Sequence, residues 1–146
     1  MQAFLEEAKR SSRTIANLST AVKNRVLNEM ADALMNHCDF IVTHNEKDMS
    51  EAKLNNLSES LQDRLLLTGD RVKDMADAIR QIASQLEPVG RILDGWVTKD
   101  GLNIQKVSIP IGVIGIIYES RPNVTSDTAA LCFKRGNVCV LKGGKE

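Results

Sequence analysis

The sequence predicts an α/β protein: a helical first 87 residues, then a hairpin and a parallel βαβ unit that is incomplete as a sheet. Three observations support this. Apolar residues recur at three- and four-residue steps through the first 87 positions, the period of an amphipathic helix. The pair Asp100-Gly101 separates two short strand-like segments, a strong hairpin signal. Two apolar runs without polar alternation, Ile111 to Tyr118 and Val138 to Leu141, flank an apolar helix. That order is the grammar of strand, crossover helix and parallel strand. Runs of this kind are expected to be buried on both faces of a sheet.

Phe4, Ala8, Ser12 and Ile15 space as one face of a first helix. Ser19 is the expected N-cap of a second, whose stripe is Val22, Val26, Leu27, Met30 and Leu34. His37 to Leu54 reads as two shorter helices around a polar break at His44 to Asp48. Asn55-Asn56 makes a turn, and Ser58 or Ser60 caps a short helix through Leu67. Thr68-Gly69-Asp70 punctuates again before the stripe Val72, Met75, Ile79, Ile82 and Leu86. These stripes are expected to pack as core. Pro88 and Gly90 end the helical part. The hairpin from Arg91 to Val107 carries Trp96 on its first arm, and such a hairpin either pairs with another subunit or folds back locally. Pro122 suits the start of the crossover helix, Asn123 to Arg135, and Gly136-Asn137 suits its end. A parallel sheet normally needs more than two strands. The chain is therefore expected to be the amino-terminal piece of a larger enzyme, or to complete its sheet with another chain.

Composition narrows the function classes. Nineteen Lys and Arg balance nineteen Asp and Glu, so there is no electrostatic footprint for nucleic acid. Aromatics make up 3%, too few to build base-stacking platforms. Charges within the first ten residues do not fit a signal peptide, and the longest apolar run is too short to span a bilayer. Three cysteines, an odd number, fit a reduced cytoplasmic protein.

Ligands of open α/β sheets bind beyond the carboxyl ends of the strands, so the loops there are the site candidates. Glu119-Ser120-Arg121-Pro122-Asn123 follows the first run. One reading is helix capping by Ser120 or Asn123, with Glu119 paired to Arg121. The other is functional: the planar fork of Arg121 binds carboxylate or phosphate, while hydroxyl and backbone donors stabilise an oxyanion. Lys142-Gly143-Gly144-Lys145 follows the second run and can receive phosphate through backbone N–H groups. Lys142 is either a ribose or phosphate ligand or a solvated lysine. Gly112 and Gly115 lie inside the strand, so they are not a dinucleotide fingerprint and read as close-packing positions. Gly144-Lys145 fails as a P-loop because Glu146 stands where Ser or Thr is needed. Cys38, Cys132 and Cys139 read as small buried hydrophobes. His37, Cys38 and His44 have no recognised metal spacing, and no metal site is expected.

The run IPIGVIGIIYESRPNVTSDTAALCFKRGNVCVLKGGKE, with NRVLNEMADAL, HNEKDM and LQDRLLLT before it, closely resembles the γ-glutamyl phosphate reductases. These are also called glutamate-5-semialdehyde dehydrogenases and belong to the aldehyde dehydrogenase superfamily. The resemblance covers nearly the whole chain but only the first third of the usual family length. It implies that residues 1–90 and 108–146 are part of the NADP-binding domain, that 91–107 is a hairpin of the oligomerisation domain, and that the catalytic domain is absent from this chain. The implied reaction is NADPH-dependent reduction of L-glutamyl 5-phosphate to L-glutamate 5-semialdehyde and phosphate in proline biosynthesis. In the family a cysteine thiolate attacks the acyl phosphate, and hydride reduces the thioester.

Neither Cys132 nor Cys139 fits the family's nucleophile motif. No catalytic nucleophile is therefore assigned here, and the 146 residues alone are expected to be inactive. Allowing one gap, Ser120 takes the place of an Asn that helps form the oxyanion hole in related aldehyde dehydrogenases. Ser120, Arg121 and Asn123 are then an oxyanion or substrate loop. Lys142 matches a lysine that contacts the cofactor's ribose or 2′-phosphate, with Gly143 and Gly144 completing the cofactor loop. The resemblance further implies a homo-oligomer assembled through the hairpin, glutamate 5-kinase as a pathway partner, and a cytoplasmic location. Residues 135–139, Arg-Gly-Asn-Val-Cys, depart from the family pattern, which has a small residue at 135 and a larger apolar one at 139. Two other readings stand beside this one: a non-catalytic helical assembly module, and a different aldehyde or acyl-phosphate dehydrogenase.

Overall fold

The computed structural model describes residues 2–144. The helices α1 (Gln2–Ala16), α2 (Thr20–Asn36), α3 (Cys38–Leu54), α4 (Glu59–Leu65) and α5 (Gly69–Ser84) come first. The strands β1 (Ile92–Val97) and β2 (Asn103–Val107) form an antiparallel hairpin. β3 (Val113–Ile117), α6 (Pro122–Lys134) and β4 (Val138–Lys142) form a parallel βαβ unit. No helix among the described residues is long and apolar enough to cross a membrane.

Local chemistry sets the helix starts. Ser19 Oγ accepts the Val22 N–H at 3.3 Å, and Thr68 Oγ1 accepts the Arg71 N–H at 3.2 Å, each satisfying an orphan donor of the first turn. The core lies where α2, α5 and α6 meet. Leu27 and Ala31 of α2 pack with Ala76, Ile79, Ile82 and Ala83 of α5 and with Ala130 of α6. The alanines bring the helix backbones close, and Met30, Leu34 and Phe133 seal the margin.

Two lysines are buried in this core, and each has partners. Lys23 is 1% exposed and its ammonium donates to Glu87 Oε1 at 2.9 Å, tying α2 to the segment after α5. The Val89 N–H and the Thr20 hydroxyl, each at 3.1 Å, complete the Glu87 carboxylate. Burial works against ionisation of Glu87, yet these donors outweigh it and hold its carboxyl below the usual range. Lys134 Nζ donates to Ala83 O at 2.8 Å and to Asn24 Oδ1 at 2.6 Å, so α6 supplies a cation to the carboxyl end of α5. Burial pushes the Lys134 ammonium below its ordinary value, against the pull of Glu87.

Several expectations need correction. His37 to Leu54 is not two helices: α3 runs unbroken from Cys38 to Leu54. Asn45, buried, points inward; its side chain donates to Leu65 O at 2.9 Å and accepts the Leu67 N–H at 2.7 Å. The neighbouring polar residues are exposed, so polarity at 44–48 marks a solvent face rather than a break. Leu86 lies beyond the end of α5 and is 81% exposed, so the α5 stripe ends at Ile82. Phe4 is exposed on α1, which buries Ala8. The apolar strands are not buried on both faces: Ile117 of β3 and Ile111 just before it are 81% and 82% exposed, because no element among the described residues covers them. The glycines are not close-packed either. Nothing lies within 4 Å of a Cβ added at Gly112 or Gly115; Gly112 is required by its φ of +116°.

The hairpin turns at Gly101, whose φ is +84°, and Ser108 fastens its base to Arg91. Both strands are exposed along their whole length.

Candidate functional site

Parallel pairing runs in register from Val113 opposite Val138 to Ile117 opposite Lys142, so both strands end at the same edge. The Tyr118 N–H donates to Lys142 O at 3.1 Å and carries the pairing one residue further. The loop after β3 and the loop after β4 therefore leave the sheet side by side. Tyr118 also joins them through its side chain. Its phenol hydrogen-bonds Thr125 of α6 at 2.5 Å, and a Cβ built on Gly143 would lie 3.8 Å from the same oxygen.

The loop between β3 and α6 is conformationally strained. Ser120 is 5% exposed and has φ +49°, a left-handed conformation that costs an ordinary residue roughly 1–2 kcal/mol. The capping reading does not describe this helix start: Arg121 occupies the N-cap position without a capping side-chain bond, and Pro122 opens the helix. The Asn123 amide instead reaches one turn along α6 to Asp127 Oδ2 at 3.0 Å. Glu119 and Arg121 form no ion pair; among the described residues neither side chain has a bonding partner.

Arg121, Pro122, Asn123 and Asp127 form one wall of a cleft of about 410 Å³. The facing wall comes from α4 and α5, including Arg64, Arg71 and Asp74. Arg71 is committed to structure: it pairs with the Asp63 carboxylate at 2.8 Å and donates to Leu66 O at 2.9 Å and to Asp63 O. Asp127 Oδ1 is buried without a hydrogen-bond partner among the described residues. A buried unsatisfied polar atom costs on the order of 1–3 kcal/mol, which makes it a point where a donor would bind.

Lys142 and Gly143 lie at the same strand edge, exposed, with Gly144 following. The described residues form no bond with the Lys142 ammonium. A cation and two glycines after a parallel strand fit the phosphate-bearing end of a dinucleotide, because they combine charge with unhindered N–H groups. The cysteines lie elsewhere. Cys132 is buried in α6, where burial and the neighbouring Cys139 thiol push its pKa up, away from nucleophilic character. Cys38 and Cys139 are half-buried rather than buried.

Thus Ser120, Arg121 and Asn123 lie in the loop after β3 and the start of α6, Lys142 and Gly143 leave the adjacent strand at the same edge, and Tyr118 stands between Thr125 and Gly143. The sequence did not point to Asp127 or to the wall of Arg64, Arg71 and Asp74. The i, i+4 spacing of Asn123 and Asp127 was the one signal available for the former.

A strand, a crossover helix and a parallel strand, with both polar loops at their carboxyl edge, define an α/β protein whose candidate site lies at that edge. Comparison with known proteins shows what the chain is similar to. The chain is 80% identical over all 146 residues to a γ-glutamyl phosphate reductase of Aliarcobacter butzleri, covering 35% of that protein. It is 48% identical over 139 residues to the Escherichia coli enzyme of that name, covering 33% of it. Its fold matches the crystal structure of the Thermotoga maritima γ-glutamyl phosphate reductase with a TM-score of 0.90 at 39% identity, over 95% of this chain and 34% of that one. The Saccharomyces cerevisiae structure gives 0.91 at 34% identity, over 96% and 36%. No family model matches the chain. In sequence and in fold the chain corresponds to the amino-terminal part of γ-glutamyl phosphate reductases, and it spans about a third of the length of those relatives.

Proposed function

We propose that this chain serves the NADPH-dependent reduction of L-glutamyl 5-phosphate to L-glutamate 5-semialdehyde and phosphate, a step of proline biosynthesis in the cytoplasm. The observation that supports this best is the shared edge: the strained loop at Ser120–Asn123 and the basic loop at Lys142–Gly144 leave adjacent strands at one end of a parallel pair. In this reading residues 1–90 and 108–146 contribute to the NADP-binding domain. NADPH, when bound, supplies the hydride. Lys142 attracts its ribose or 2′-phosphate, and the Gly143 and Gly144 N–H groups approach phosphate without side-chain obstruction. Ser120 stands at the end of β3 as an oxyanion donor, fixed by its strained backbone. Arg121 and Asn123 line the substrate side.

None of the three cysteines lies in either loop, so the chain contributes binding and charge stabilisation and not the attacking thiolate. Reductase turnover by the isolated 146-residue chain would contradict this division of roles. The hairpin at 91–107, exposed on both strands with Trp96 at 52%, is the surface through which copies assemble. Glutamate 5-kinase, which makes the acyl phosphate, is the pathway partner.

The test is a full-length chimera in which residues 1–146 replace the matching segment of the Aliarcobacter butzleri reductase. In it, assayed in the oxidising direction with phosphate, Lys142→Ala should raise the KM for NADP⁺ about tenfold, the loss of one charged phosphate contact, while the KM for the aldehyde stays within about twofold. Ser120→Ala should lower kcat with little effect on either KM. Equal kinetics for the Lys142→Ala protein would remove the cofactor assignment.

A further inference from the structure

We propose that the cleft between the start of α6 and the α4–α5 wall seats the amino-acid end of the substrate, with Arg64 and Arg121 on the α-carboxylate and Asp127 on the α-ammonium. The inference rests on the reductase reading and adds to it the end of the ligand remote from the reacting carbonyl. It follows from the charges of the cleft. Three arginines, Arg64, Arg71 and Arg121, line it together with three aspartates, Asp63, Asp74 and Asp127. Arg71 and Asp63 neutralise each other at 2.8 Å. What is left is one arginine and one aspartate on each wall, Arg121 and Asp127 opposite Arg64 and Asp74, with neither arginine in a hydrogen bond or ion pair among the described residues.

Such a pattern is complementary to a zwitterion. A simple anion would meet Asp74 and Asp127 as well as the arginines, and like charges in a cleft disfavour it. An amino acid carries both signs on adjacent atoms and meets both. Asp127 adds direction: Oδ2 is occupied by the Asn123 amide at 3.0 Å, whereas Oδ1 is buried and lacks a donor. An ammonium has three donors and satisfies that oxygen with a charge-assisted bond. Arg64 and Arg121 are exposed, and a planar guanidinium fork takes a carboxylate through two parallel bonds. Asp127 lies one helical turn beyond Asn123, so this charged seat adjoins the loop at the strand edge.

The test uses the full-length chimera, run in the oxidising direction with NADP⁺ and phosphate. Two aldehydes are compared: L-glutamate 5-semialdehyde, and 5-oxopentanoate, which keeps the carboxylate but lacks the amino group. Asp127→Asn should raise the KM for the semialdehyde about tenfold and leave that for 5-oxopentanoate within about twofold, so discrimination between them collapses. Arg121→Ala and Arg64→Ala should raise both KM values, with kcat and the KM for NADP⁺ unchanged. Equal effects of Asp127→Asn on the two aldehydes, or none, would overturn the assignment. A second readout does not need turnover: calorimetric titration of the unaltered chimera with L-glutamate and with glutarate. L-Glutamate should bind at least about tenfold more tightly; equal or absent binding would also overturn it. An unaltered chimera that binds L-glutamate selectively but does not turn over would refute the reductase reading while leaving the seat intact.

Discussion

Replacing Gly136 by alanine should cost the fold roughly 3 kcal/mol, a figure built from two independent terms. Gly136 has φ +73° and ends α6: its N–H donates to Phe133 O at 3.0 Å, and the next N–H, of Asn137, reaches back to Cys132 O at 2.8 Å. That is a Schellman-type stop, in which an L side chain costs about 1–2 kcal/mol. The second term is steric. A Cβ there would lie 2.9 Å from Pro110 Cγ and 3.4 Å from Ala16 Cα and Val89 Cγ2. A proline ring and a helix backbone cannot swing aside, so overpacking adds about 1–3 kcal/mol. Gly101→Ala separates the terms, because Gly101 has φ +84° with nothing within 4 Å of an added Cβ. Urea unfolding followed by circular dichroism, with unchanged m-values, gives both losses. The melting temperature of the Gly136→Ala protein should fall by about 10 °C, and that of Gly101→Ala by about half as much. Equal losses would show that the packing of α1, the Pro110 segment and the α6–β4 turn has been misread.

Glu87→Gln tests the buried ion pair through pH. The folded Glu87 carboxyl titrates below its ordinary value of 4.5, so its contribution is complete above 4.5 and is lost as pH falls through the folded value. The unaltered protein should therefore lose melting temperature as pH falls below 4.5, and Glu87→Gln should start lower at neutral pH and lose less on that acid limb. Lys134→Met keeps the apolar stem but leaves Ala83 O and Asn24 Oδ1 without their donor; a loss of about 2 kcal/mol in urea unfolding is expected, and an unchanged midpoint would contradict the role given to that ammonium. Trp96→Asp on the exposed β1 strand should shift the chimera to a smaller species in light scattering, and an unchanged mass would remove the hairpin from the assembly surface.

Much of the fold was legible because its punctuation is local. Asp100-Gly101, Pro122 and Gly136-Asn137 act through backbone conformation within a few residues, and each stands where the chain turns. The α3 helix was less legible, since residues 44–48 are polar for two different reasons: most face water, while Asn45 clamps the end of α4. The composition of β3 answers to burial on two faces, which residues 2–144 do not supply around Ile117. Half the candidate site could be read as well. Ser120, Arg121, Asn123 and Lys142 sit at strand ends, a position that topology alone assigns. Arg64 and Asp74 could not be read, because tertiary packing sets the α4–α5 wall opposite the start of α6 and no spacing announces it, while Asp127 offered only its i, i+4 spacing from Asn123.

The most direct measurement of the central claim is the turnover of the unaltered chimera with NADP⁺, phosphate and L-glutamate 5-semialdehyde. With 80% identity across the exchanged segment, kcat/KM within about threefold of the Aliarcobacter butzleri enzyme is expected. A soluble, folded chimera with less than about a hundredth of that value would contradict the claim that these strand-end loops are half of a reductase active site.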